Sequence, residues 1–375
     1  MIYFDYAATC PLDDEAAIAY VKTATEYYGN SKSLHDVGSA ANELLENCRK
    51  ELAKLLHVED NGIYFTSGGS ESNYLAIMSL LSAKQKEGKH IITGLAEHSS
   101  VKGTFEKLES SGYEVTYLPF NQDGLIDLDN LRSHVKSDTV LISIQTVNPE
   151  IGSIQPIKEI GEICREEEIL FHSDFVQGFG KVNLESPLEY LDSFSLSGHK
   201  IFGPKGIGAV YISPDIPWQP YYKNASHEKG LRPGTLNVPA IAAMTVAAQK
   251  CYTRLNQDAE HYRRLRKTFI KELQPISSKI ILYDLPELLQ LPSTLGMRIK
   301  GLEGQWVMLE CNRVGYALST GSACQSGMDT PSKTMKAMGV ADKDAKEFIR
   351  ISLGRDTSQE DVKGLAHALK NMVTM

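Results

Sequence analysis

The sequence lacks long apolar runs, a secretion signal and an excess of basic residues. No apolar run in the 375 residues reaches the length of a membrane span. The start Met1-Ile2-Tyr3-Phe4-Asp5 has neither the basic residues nor the apolar stretch of a signal peptide. The formal net charge is −8, which argues against a grip on nucleic-acid phosphates. We therefore expect a cytoplasmic protein that binds neither membranes nor nucleic acid directly.

The sequence also lacks paired cysteines. None of its six cysteines forms a Cys-x-x-Cys pair, and their spacing matches no zinc or iron–sulfur ligand pattern, so no metal site is predicted. A chain of 375 residues does not need disulfides for stability. Five of the cysteines are expected to be reduced thiols without a catalytic role. The exception, Cys324, is treated below.

Short apolar runs alternate with stretches of helical periodicity from about residue 60 onwards. Strands separated by helices predict an α/β fold with a mostly parallel sheet covered on both faces. After Thr235 the pattern changes to a long helical stretch from Val238 to about Leu273 that leads to further strands. We predict a large domain over residues 14–254. Residues 1–13 and 255–375 form a smaller domain with a loop at about 319–332.

A lysine follows one of the predicted strands. The segment Ser195-Leu196-Ser197-Gly198-His199-Lys200 leads into the turn Gly203-Pro204-Lys205-Gly206. A lysine on a loop at a strand end can form a Schiff base, because the rigid strand fixes its amine near a carbonyl group. Ser197 and His199, close to Lys200, are candidate phosphate donors. The alternative is a surface loop with ordinary lysines.

Asp174 lies at the carboxyl end of the predicted strand Ile169-Leu170-Phe171-His172-Ser173, where open α/β sheets bind their ligands. An aspartate there can pair with the protonated ring nitrogen of a pyridine-type cofactor. Gln177, three residues further on, could reach an oxygen on the same ring. The alternative for Asp174 is a helix cap.

Two further segments offer groups for the same ligand. Thr66-Ser67-Gly68-Gly69-Ser70-Glu71 joins a strand to a helix, and its glycines allow backbone N–H groups to approach an anion at the helix N-terminus. Gly69 and Ser70 are therefore candidate phosphate ligands. His98 follows a strand and could stack on a ring and transfer protons. A capped helix and a structural histidine are the respective alternatives.

Cys324 lies in Ser319-Thr320-Gly321-Ser322-Ala323-Cys324-Gln325-Ser326-Gly327, a segment of small residues. Such a segment predicts an exposed, mobile loop, on which a thiolate would be accessible as a nucleophile. Arg350, close to the start of a predicted strand, could bind a substrate carboxylate through two hydrogen bonds. An incidental free thiol and a surface ion pair are the alternatives.

Together and in this order, these segments resemble the NifS/IscS-like cysteine desulfurases, which belong to the class V aminotransferase-like, fold-type I enzymes that use pyridoxal 5'-phosphate (PLP). The resemblance runs from Tyr3-Phe4-Asp5-Tyr6-Ala7-Ala8-Thr9 to Ile349-Arg350-Ile351-Ser352-Leu353-Gly354. The catalytic loop of this group reads Gly-Ser-Ala-Cys, as residues 321–324 do here. The resemblance implies a fold-type I PLP-dependent transferase with a large, mostly parallel sheet domain and a smaller α+β domain.

The resemblance also implies a role for each candidate residue. Lys200 would hold the cofactor and move the α-proton of the substrate, His98 would stack on the cofactor ring, and Cys324 would take the sulfur. Arg350, helped by Asn148, would bind the substrate carboxylate. The other cofactor-binding residues would be Gly69, Ser70, Asn148, Asp174, Gln177, Ser197, His199 and Thr235. Thr235 would reach the phosphate of the partner subunit, so a homodimer is implied.

The implied reaction converts L-cysteine to L-alanine, with sulfur carried as a persulfide on Cys324 to an acceptor protein for iron–sulfur cluster assembly or thio-cofactor synthesis. The chain departs from the family pattern at Asn148-Pro149, where many relatives have two asparagines, and at Gly69-Ser70, where they have Ala-Thr. A selenocysteine lyase, an aminotransferase and a PLP-fold scaffold without catalysis are the alternatives.

Overall fold

The computed structural model describes residues 1–83, 85–183, 188–220, 222, 224, 226–321 and 331–374. The strands are β1 (Ile2–Tyr3), β2 (Ile63–Thr66), β3 (His90–Gly94), β4 (Glu114–Leu118), β5 (Thr139–Ser143), β6 (Leu170–Asp174), β7 (Ser193–Ser197), β8 (Gly208–Ile212), β9 (Ile280–Tyr283), β10 (Thr294–Ile299), β11 (Tyr316–Ala317) and β12 (Phe348–Ser352). The α-helices are α1 (Asp14–Glu26), α2 (Asp36–Leu56), α3 (Gly69–Ser82), α4 (Ser99–Glu109), α5 (Leu128–His134), α6 (Ile157–Glu166), α7 (Val238–Glu272), α8 (Gly304–Arg313), α9 (Lys333–Ala337), α10 (Asp342–Ala345) and α11 (Gln359–Thr374).

The main sheet has seven strands in the order β2-β8-β7-β6-β5-β3-β4. Strands β4, β3, β5, β6 and β7 pair in parallel, whereas β8 is antiparallel to both β7 and β2. Since β2 is antiparallel to β8, it runs in the same direction as β7. The carboxyl ends of β2, β3, β5, β6 and β7 therefore meet at one edge of the sheet, where α/β proteins bind their ligands.

The antiparallel direction of β8 has a simple cause. A parallel strand pair needs a crossover of a dozen or more residues, usually with a helix. The link from Ser197 to Gly208 is shorter, and it contains only the short 3₁₀ turn Gly198–Lys200. The link folds back on itself, since Gly203 N–H donates to the carbonyl of Gly198 at 3.0 Å. The hairpin that results holds Lys200 beside the sheet edge.

Among the described residues, the largest apolar cluster lies at the main sheet and a second cluster lies around β10 and β12. A third cluster, around Leu75 and Phe105, also lies at the main sheet, and a small fourth cluster includes Met335. The second cluster includes Phe4, Leu295, Ile351 and Leu365. Helix α7 is continuous over 35 residues and contributes to the first two clusters, with Ile241 in the first and Phe269 in the second. The change from one cluster to the other falls inside α7, and the division into two domains stays a prediction.

The fold class predicted from the sequence is confirmed by this sheet and its covering helices. No helix of the described residues is long and apolar enough to cross a membrane. The five cysteines in the described part of the chain, Cys10, Cys48, Cys164, Cys251 and Cys311, are free and buried, as expected. Cys324 lies outside the described residues.

Candidate active site

A cavity of about 230 Å³ lies at the carboxyl ends of β6 and β7. Most of the candidate residues line it, although they come from sequence segments that are far apart. The candidates that line it are Gly69, Ser70, His98, Asp174, Gln177, Ser197, His199, Lys200 and Arg350. The common direction of the strands brings them together, because each follows the end of a strand or lies on a strand next to that edge.

Lys200 reaches the cavity from the 3₁₀ turn that follows β7. Its ammonium nitrogen Nζ donates to the carbonyl oxygens of Ala7 and Ala8, both at 2.7 Å. The backbone of Lys200 is tied down as well, since the Cys10 thiol donates to its carbonyl oxygen at 3.3 Å. The amine is therefore held at the cavity wall by the N-terminal segment, which the sequence analysis left without a specific role.

Asp174 is the last residue of β6 and is almost fully buried. Its carboxylate oxygen Oδ1 accepts a hydrogen bond from Val176 N–H at 3.0 Å, and Oδ2 accepts one from Asn73 Nδ2 at 2.8 Å. Hydrogen bonds from neutral donors orient a carboxylate without cancelling its charge. These two hydrogen bonds therefore fix the carboxylate of Asp174 in place at the cavity.

Gln177 lies near Asp174 and contacts the N-terminal segment. Its amide Nε2 donates to the carbonyl of Ala7 at 2.9 Å, and its Oε1 accepts from Lys181 Nζ at 2.8 Å. A lysine ammonium can only donate, so the oxygen of the amide must face Lys181 and the nitrogen must face the cavity side. Gln177 is thus oriented to offer an N–H to a ligand.

His98 is the N-cap of helix α4, and its Nδ1 accepts a hydrogen bond from Ser100 N–H at 3.2 Å. Burial lowers the pKa of His98; the charge of Asp174 raises it by a smaller amount, and the charges of Lys200 and Lys333 lower it further. The imidazole is therefore neutral at pH 7. A neutral imidazole can lie against an aromatic ring and still exchange a proton.

The opposite end of the cavity is suited to an anion. Helix α3 has 14 residues and begins after Gly68, and no side chain caps its N-terminus. The φ of Gly68 is +148°, which favours glycine, and a Cβ on Gly69 would lie 2.7 Å from Val176 Cγ2. Both glycines keep side chains away from the backbone N–H groups at the helix start. Ser70 adds a hydroxyl group there.

Ser197 and His199 approach the same end of the cavity from the other side. His199 Nδ1 contacts Thr9 Oγ1 at 3.0 Å. Burial, together with the positive charges of Lys200 and Lys181, lowers the pKa of His199 to about 4. His199 is therefore neutral at pH 7 and contributes a hydrogen bond rather than a charge. The helix terminus and the hydroxyl groups must provide most of the attraction for an anion.

Arg350 lies in β12 and is buried next to the cavity. Its Nη2 donates to Asp5 Oδ1 at 2.6 Å, and its Nη1 donates to the carbonyl of Pro149 at 3.2 Å. Its buried Nε has no hydrogen-bond partner among the described residues. An unsatisfied N–H on a buried guanidinium is costly unless a ligand accepts from it. The site thus offers an incoming carboxylate the positive charge of a buried guanidinium.

Asn148 is placed differently from the expectation. Its side chain is fully buried and does not line the cavity. Its Nδ2 donates to Thr334 Oγ1 at 3.0 Å, and its Oδ1 accepts from the N–H groups of Glu150 and Ile151. These contacts use its hydrogen-bonding capacity for a turn and for the start of α9. Its neighbours Val147 and Pro149 line the cavity instead.

Thr235 and Cys324 are the two remaining predicted residues. Thr235 is exposed and is not among the residues that line the cavity. At this exposed position Thr235 is accessible to a partner subunit, and its role stays a prediction. Cys324 belongs to residues 322–330, outside the described part of the chain, so its predicted role stays a prediction.

Sequence reasoning missed Asn73, which lines the cavity and binds Asp174. A signal was present, because Asn73 shares a face of α3 with Ala76, Ile77 and Leu80, all buried. A polar residue on an apolar helix face must find partners in the interior. Ser100 and Lys181, which contact His98 and Gln177, gave no comparable signal, because serine and lysine near helix starts and turns are common.

Known proteins with similar sequences and structures identify the family. The class-V aminotransferase family matches residues 2–365. NifS of Bacillus subtilis (strain 168), assigned as a cysteine desulfurase, is 45% identical over 368 residues, covering 98% of this chain and 93% of that protein. The cysteine desulfurase IscS of Neisseria meningitidis serogroup C (strain 053442) is 39% identical, covering 99% and 92%. A solved NifS-like protein superposes with a TM-score of 0.90 at 31% identity, covering 100% of this chain and 99% of that one.

The chain therefore belongs to the class-V aminotransferase family and, within it, to the NifS/IscS-like cysteine desulfurases. It is a PLP-dependent enzyme, as the resemblance implied. The similarity covers nearly the whole chain. A second solved structure, of SspA in complex with cysteine, superposes with a TM-score of 0.78 at 31% identity, covering 94% of this chain and 99% of that one.

The residues around the cavity fit PLP. The uncapped N-terminus of α3 suits its phosphate, and the buried carboxylate of Asp174 suits its ring nitrogen. Gln177 turns an N–H towards the cavity and can donate to the phenolic oxygen. The amine of Lys200 is at hand for the aldehyde carbon, and His98 for the face of the ring. The described residues thus offer a contact for the phosphate, the ring nitrogen, the phenolic oxygen, the aldehyde carbon and the face of the ring.

Proposed function

We propose that this enzyme removes sulfur from L-cysteine, with Lys200 as the base, Arg350 as the carboxylate anchor and Cys324 as the sulfur carrier. One observation supports the first two roles above all. The Lys200 amine, the Asp174 carboxylate and the buried Arg350 guanidinium line a single cavity. A substrate with both an amino and a carboxylate group fits that combination.

Bound PLP supplies an electron sink for the negative charge that develops at the substrate α-carbon. The chain supplies the remaining requirements. Asp174 keeps the ring nitrogen protonated, which the sink requires. Arg350 orients the substrate through its carboxylate, and this orientation brings the α-proton towards Lys200, which removes it and later returns a proton to carbon.

The sulfur step assigns the nucleophile to Cys324. Its thiolate attacks the sulfur of the substrate, a new S–S bond forms, and the bond between the substrate sulfur and Cβ breaks. The electron pair of the broken bond stays with the three-carbon skeleton, which takes up protons and leaves as alanine. Cys324 is left as a persulfide. The sulfur is oxidised and the carbon is reduced, so no outside oxidant or reductant is needed.

The test is the release of sulfide and alanine from L-cysteine by the purified holoenzyme in the presence of a dithiol. We expect equal amounts of both products. Cys324→Ala should abolish both while the visible absorbance of the bound cofactor is kept. Cys311→Ala is the matched control, because it removes a buried thiol in α8 and should leave turnover unchanged. Full turnover by Cys324→Ala would refute the role of Cys324.

Other outcomes of the same assay would redirect the assignment. Loss of the amino group to a keto acid, with no alanine from cysteine, would indicate an aminotransferase. Release of selenium from selenocysteine, with no sulfide from cysteine, would indicate a selenocysteine lyase. Either result would contradict the proposed substrate while leaving the fold and the cofactor in place.

We further propose that the enzyme acts as a homodimer in the cytoplasm and passes sulfur to an acceptor protein for iron–sulfur cluster or thio-cofactor synthesis. The exposed position of Thr235 supports a contact with the cofactor phosphate of a partner subunit. The free thiols of the five described cysteines support a reducing compartment. Sedimentation and subunit exchange test the homodimer, and cell fractionation tests the location.

A further inference from the structure

The hydrogen bonds of His98 determine which of its ring nitrogens carries the proton. The backbone N–H of Ser100 points at Nδ1 at 3.2 Å, and the hydroxyl of Ser100 lies 2.8 Å from the same atom. A backbone N–H can only donate, so Nδ1 must present its lone pair. The hydroxyl must then also donate to Nδ1. In the neutral imidazole the proton is therefore on Nε2.

The Ser100 hydroxyl is oriented in turn by Asn73. Asn73 Nδ2 donates to Ser100 Oγ at 3.0 Å and to Asp174 Oδ2 at 2.8 Å. The hydroxyl can accept this bond because its own proton is directed to His98. One side-chain amide thus touches both the group next to the imidazole and the buried carboxylate. We call the connected side chains Asp174, Asn73, Ser100 and His98 the Asn73 chain.

The orientation of Asn73 is itself determined by its other contacts. Its Oδ1 accepts from Ser195 Oγ at 2.5 Å and lies 3.2 Å from His172 Nε2. Burial lowers the pKa of His172 to about 4, so this imidazole is neutral. The other ring nitrogen of His172, Nδ1, lies 2.8 Å from Ser193 Oγ. A flipped Asn73 would turn its oxygen towards the Asp174 carboxylate, which is repulsive.

Several charged groups surround His98, and they do not explain the position of its proton. Asp174 favours the protonated imidazole, whereas Lys200 and Lys333 disfavour it. His199 also interacts with His98 electrostatically, and the buried carboxyl of Glu97 is its neighbour in sequence. These charges change the pKa at which the imidazole ring takes up a second proton. The choice between Nδ1 and Nε2 depends on short-range contacts, and the contacts at Nδ1 come from Ser100.

We propose that Ser100 is a positioning residue that keeps the proton of neutral His98 on Nε2, and that Asn73 joins this hydrogen bond to the carboxylate of Asp174. The proposal rests on the proposed function, since it gives His98 the state of a proton donor towards the reacting substrate. His98 then begins each cycle with a proton to give, and the Asn73 chain fixes this state before substrate binds.

The test is nuclear magnetic resonance of the holoenzyme labelled with ¹⁵N in its histidine rings. Neutral ring nitrogens with and without a proton have different ¹⁵N shifts, so the tautomer is observed without any turnover. The His98 signals are assigned by their absence in His98→Gln. In the unchanged enzyme we expect the proton on Nε2. A proton on Nδ1 would overturn the proposal.

Ser100→Ala removes the hydroxyl and keeps the backbone N–H. A hydrogen bond to Nδ1 stabilises the neutral ring, so its loss should raise the pKa of His98 by about 0.5 to 1. The control is Ser99→Ala, which removes an exposed hydroxyl from the preceding position of α4 and should leave the titration unchanged. Equal titration curves for Ser100→Ala, Ser99→Ala and the unchanged enzyme would refute the role of Ser100.

Asn73→Ala tests the link to Asp174. The carboxylate would lose one donor, and we expect the dissociation constant for PLP to rise roughly threefold to tenfold in equilibrium dialysis. Asn371→Ala, at an exposed position of α11, is the control. An unchanged dissociation constant in Asn73→Ala would refute the link. Since neither readout depends on desulfuration, a failure here is distinguishable from a failure of the proposed reaction.

Discussion

At the scale of single residues, the guanidinium of Arg350 shows how buried charge is prepared for a ligand. Asp5 neutralises it at 2.6 Å, and the Pro149 carbonyl accepts a second N–H at 3.2 Å. These contacts fix the plane of the group in the absence of substrate. Because burial makes an unpaired charge costly, the carboxylate of Asp5 stabilises the site between turnovers.

We predict that Arg350→Lys raises the KM for L-cysteine by roughly tenfold to a hundredfold, with a smaller change in kcat. A lysine cannot keep the contacts to Asp5 and Pro149 and also bind a carboxylate through two hydrogen bonds. Steady-state kinetics of alanine formation provide the measurement. Arg254→Lys, in a partly exposed ion pair on α7, serves as the control. An unchanged KM would show that the substrate carboxylate binds elsewhere.

A second prediction concerns His172, which is fully buried in β6. Burial lowers its pKa from 6.5 to about 4. Below pH 6.5 the unfolded chain takes up a proton at this residue, whereas the folded chain does so only near pH 4. His172 therefore contributes stability above pH 6.5 that is lost progressively as the pH falls to 4, amounting to a few kcal/mol at most, since one pKa unit is about 1.4 kcal/mol.

The measurement is urea unfolding of the apoprotein at pH 7 and pH 5. We expect the free energy of unfolding to be lower at pH 5, and His172→Gln should reduce the difference between the two values. His134→Gln, which changes an exposed histidine at the end of α5, is the control and should keep the full difference. If His172→Gln keeps it too, the pH dependence arises from other groups.

The candidate residues that the sequence identified share a recognisable position. Asp174 and Lys200 follow apolar runs that predict strands, and the parallel direction of those strands brings them to one edge. Asn148 also follows a predicted strand, yet its side chain turns into the protein interior to bind Thr334. Sequence position places a residue near the edge of the sheet, but it does not determine which way the side chain turns. That depends on contacts with distant residues.

At the scale of secondary-structure elements, the N-terminus of α3 is the feature on which the phosphate site depends. Glu71 accepts from Ser67 N–H at 2.5 Å and pairs with Arg232, so the turn is fixed from outside the cavity. The side towards the cavity has only glycine and Ser70. The N–H groups of the first turn are therefore left to a ligand.

We predict that Gly68→Ala weakens PLP binding by about tenfold or more. At a φ of +148° an alanine is strained, and relieving that strain would move the N–H groups of the turn. Equilibrium dialysis measures the dissociation constant. The control is Gly103→Ala in the interior of α4, where a Cβ would meet nothing within 4 Å. Equal binding by both variants would show that the turn does not hold the phosphate.

The variant Gly103→Ala should also change the stability of the protein. Replacing a glycine by alanine inside a helix reduces the conformational freedom of the unfolded chain. The folded protein is therefore stabilised wherever the new methyl group displaces no other side chain. Gly103→Ala should therefore raise the free energy of unfolding by about 0.5 to 1 kcal/mol. Urea unfolding of the apoprotein is the measurement. A loss of stability would mean that this part of α4 is covered by another chain.

Some helices and strands are easier to predict from the sequence than others. Strands such as β3 and β5 are short apolar runs, of the kind that the alternating pattern after residue 60 predicts. Helices α1 and α2 were not predicted, because many exposed polar residues and exposed apolar ones such as Ile18 obscure their periodicity. The antiparallel direction of β8 follows from the length of a link, which apolar patterning does not reveal.

At the scale of the whole molecule, the single chain exposes several large apolar side chains near its N-terminus. Ile18, Tyr28 and Leu34 are 67%, 72% and 100% exposed. Exposed apolar groups in one region are typical of surfaces that another chain covers. Together with the exposed Thr235, they support the proposed homodimer, for which sedimentation should give twice the 41.5 kDa mass of the chain.

The proposed sharing of Thr235 between subunits makes a stronger prediction. Lys200→Ala and Thr235→Ala should each be impaired alone, and mixed dimers of the two should recover about half of the wild-type activity. In such a dimer, the Thr235→Ala chain keeps its own Lys200 and receives Thr235 from its partner, so one site is complete, while the other site has both defects. If Thr235 served its own chain, each site would lack one residue and no activity would return.

The two purified variants are mixed under conditions that permit subunit exchange, and alanine formation is then measured. The control is the same mixture held under conditions that prevent subunit exchange. If activity recovers only after subunit exchange, Thr235 acts in the site of the partner subunit. If mixed dimers form and activity does not recover, Thr235 does not have that role.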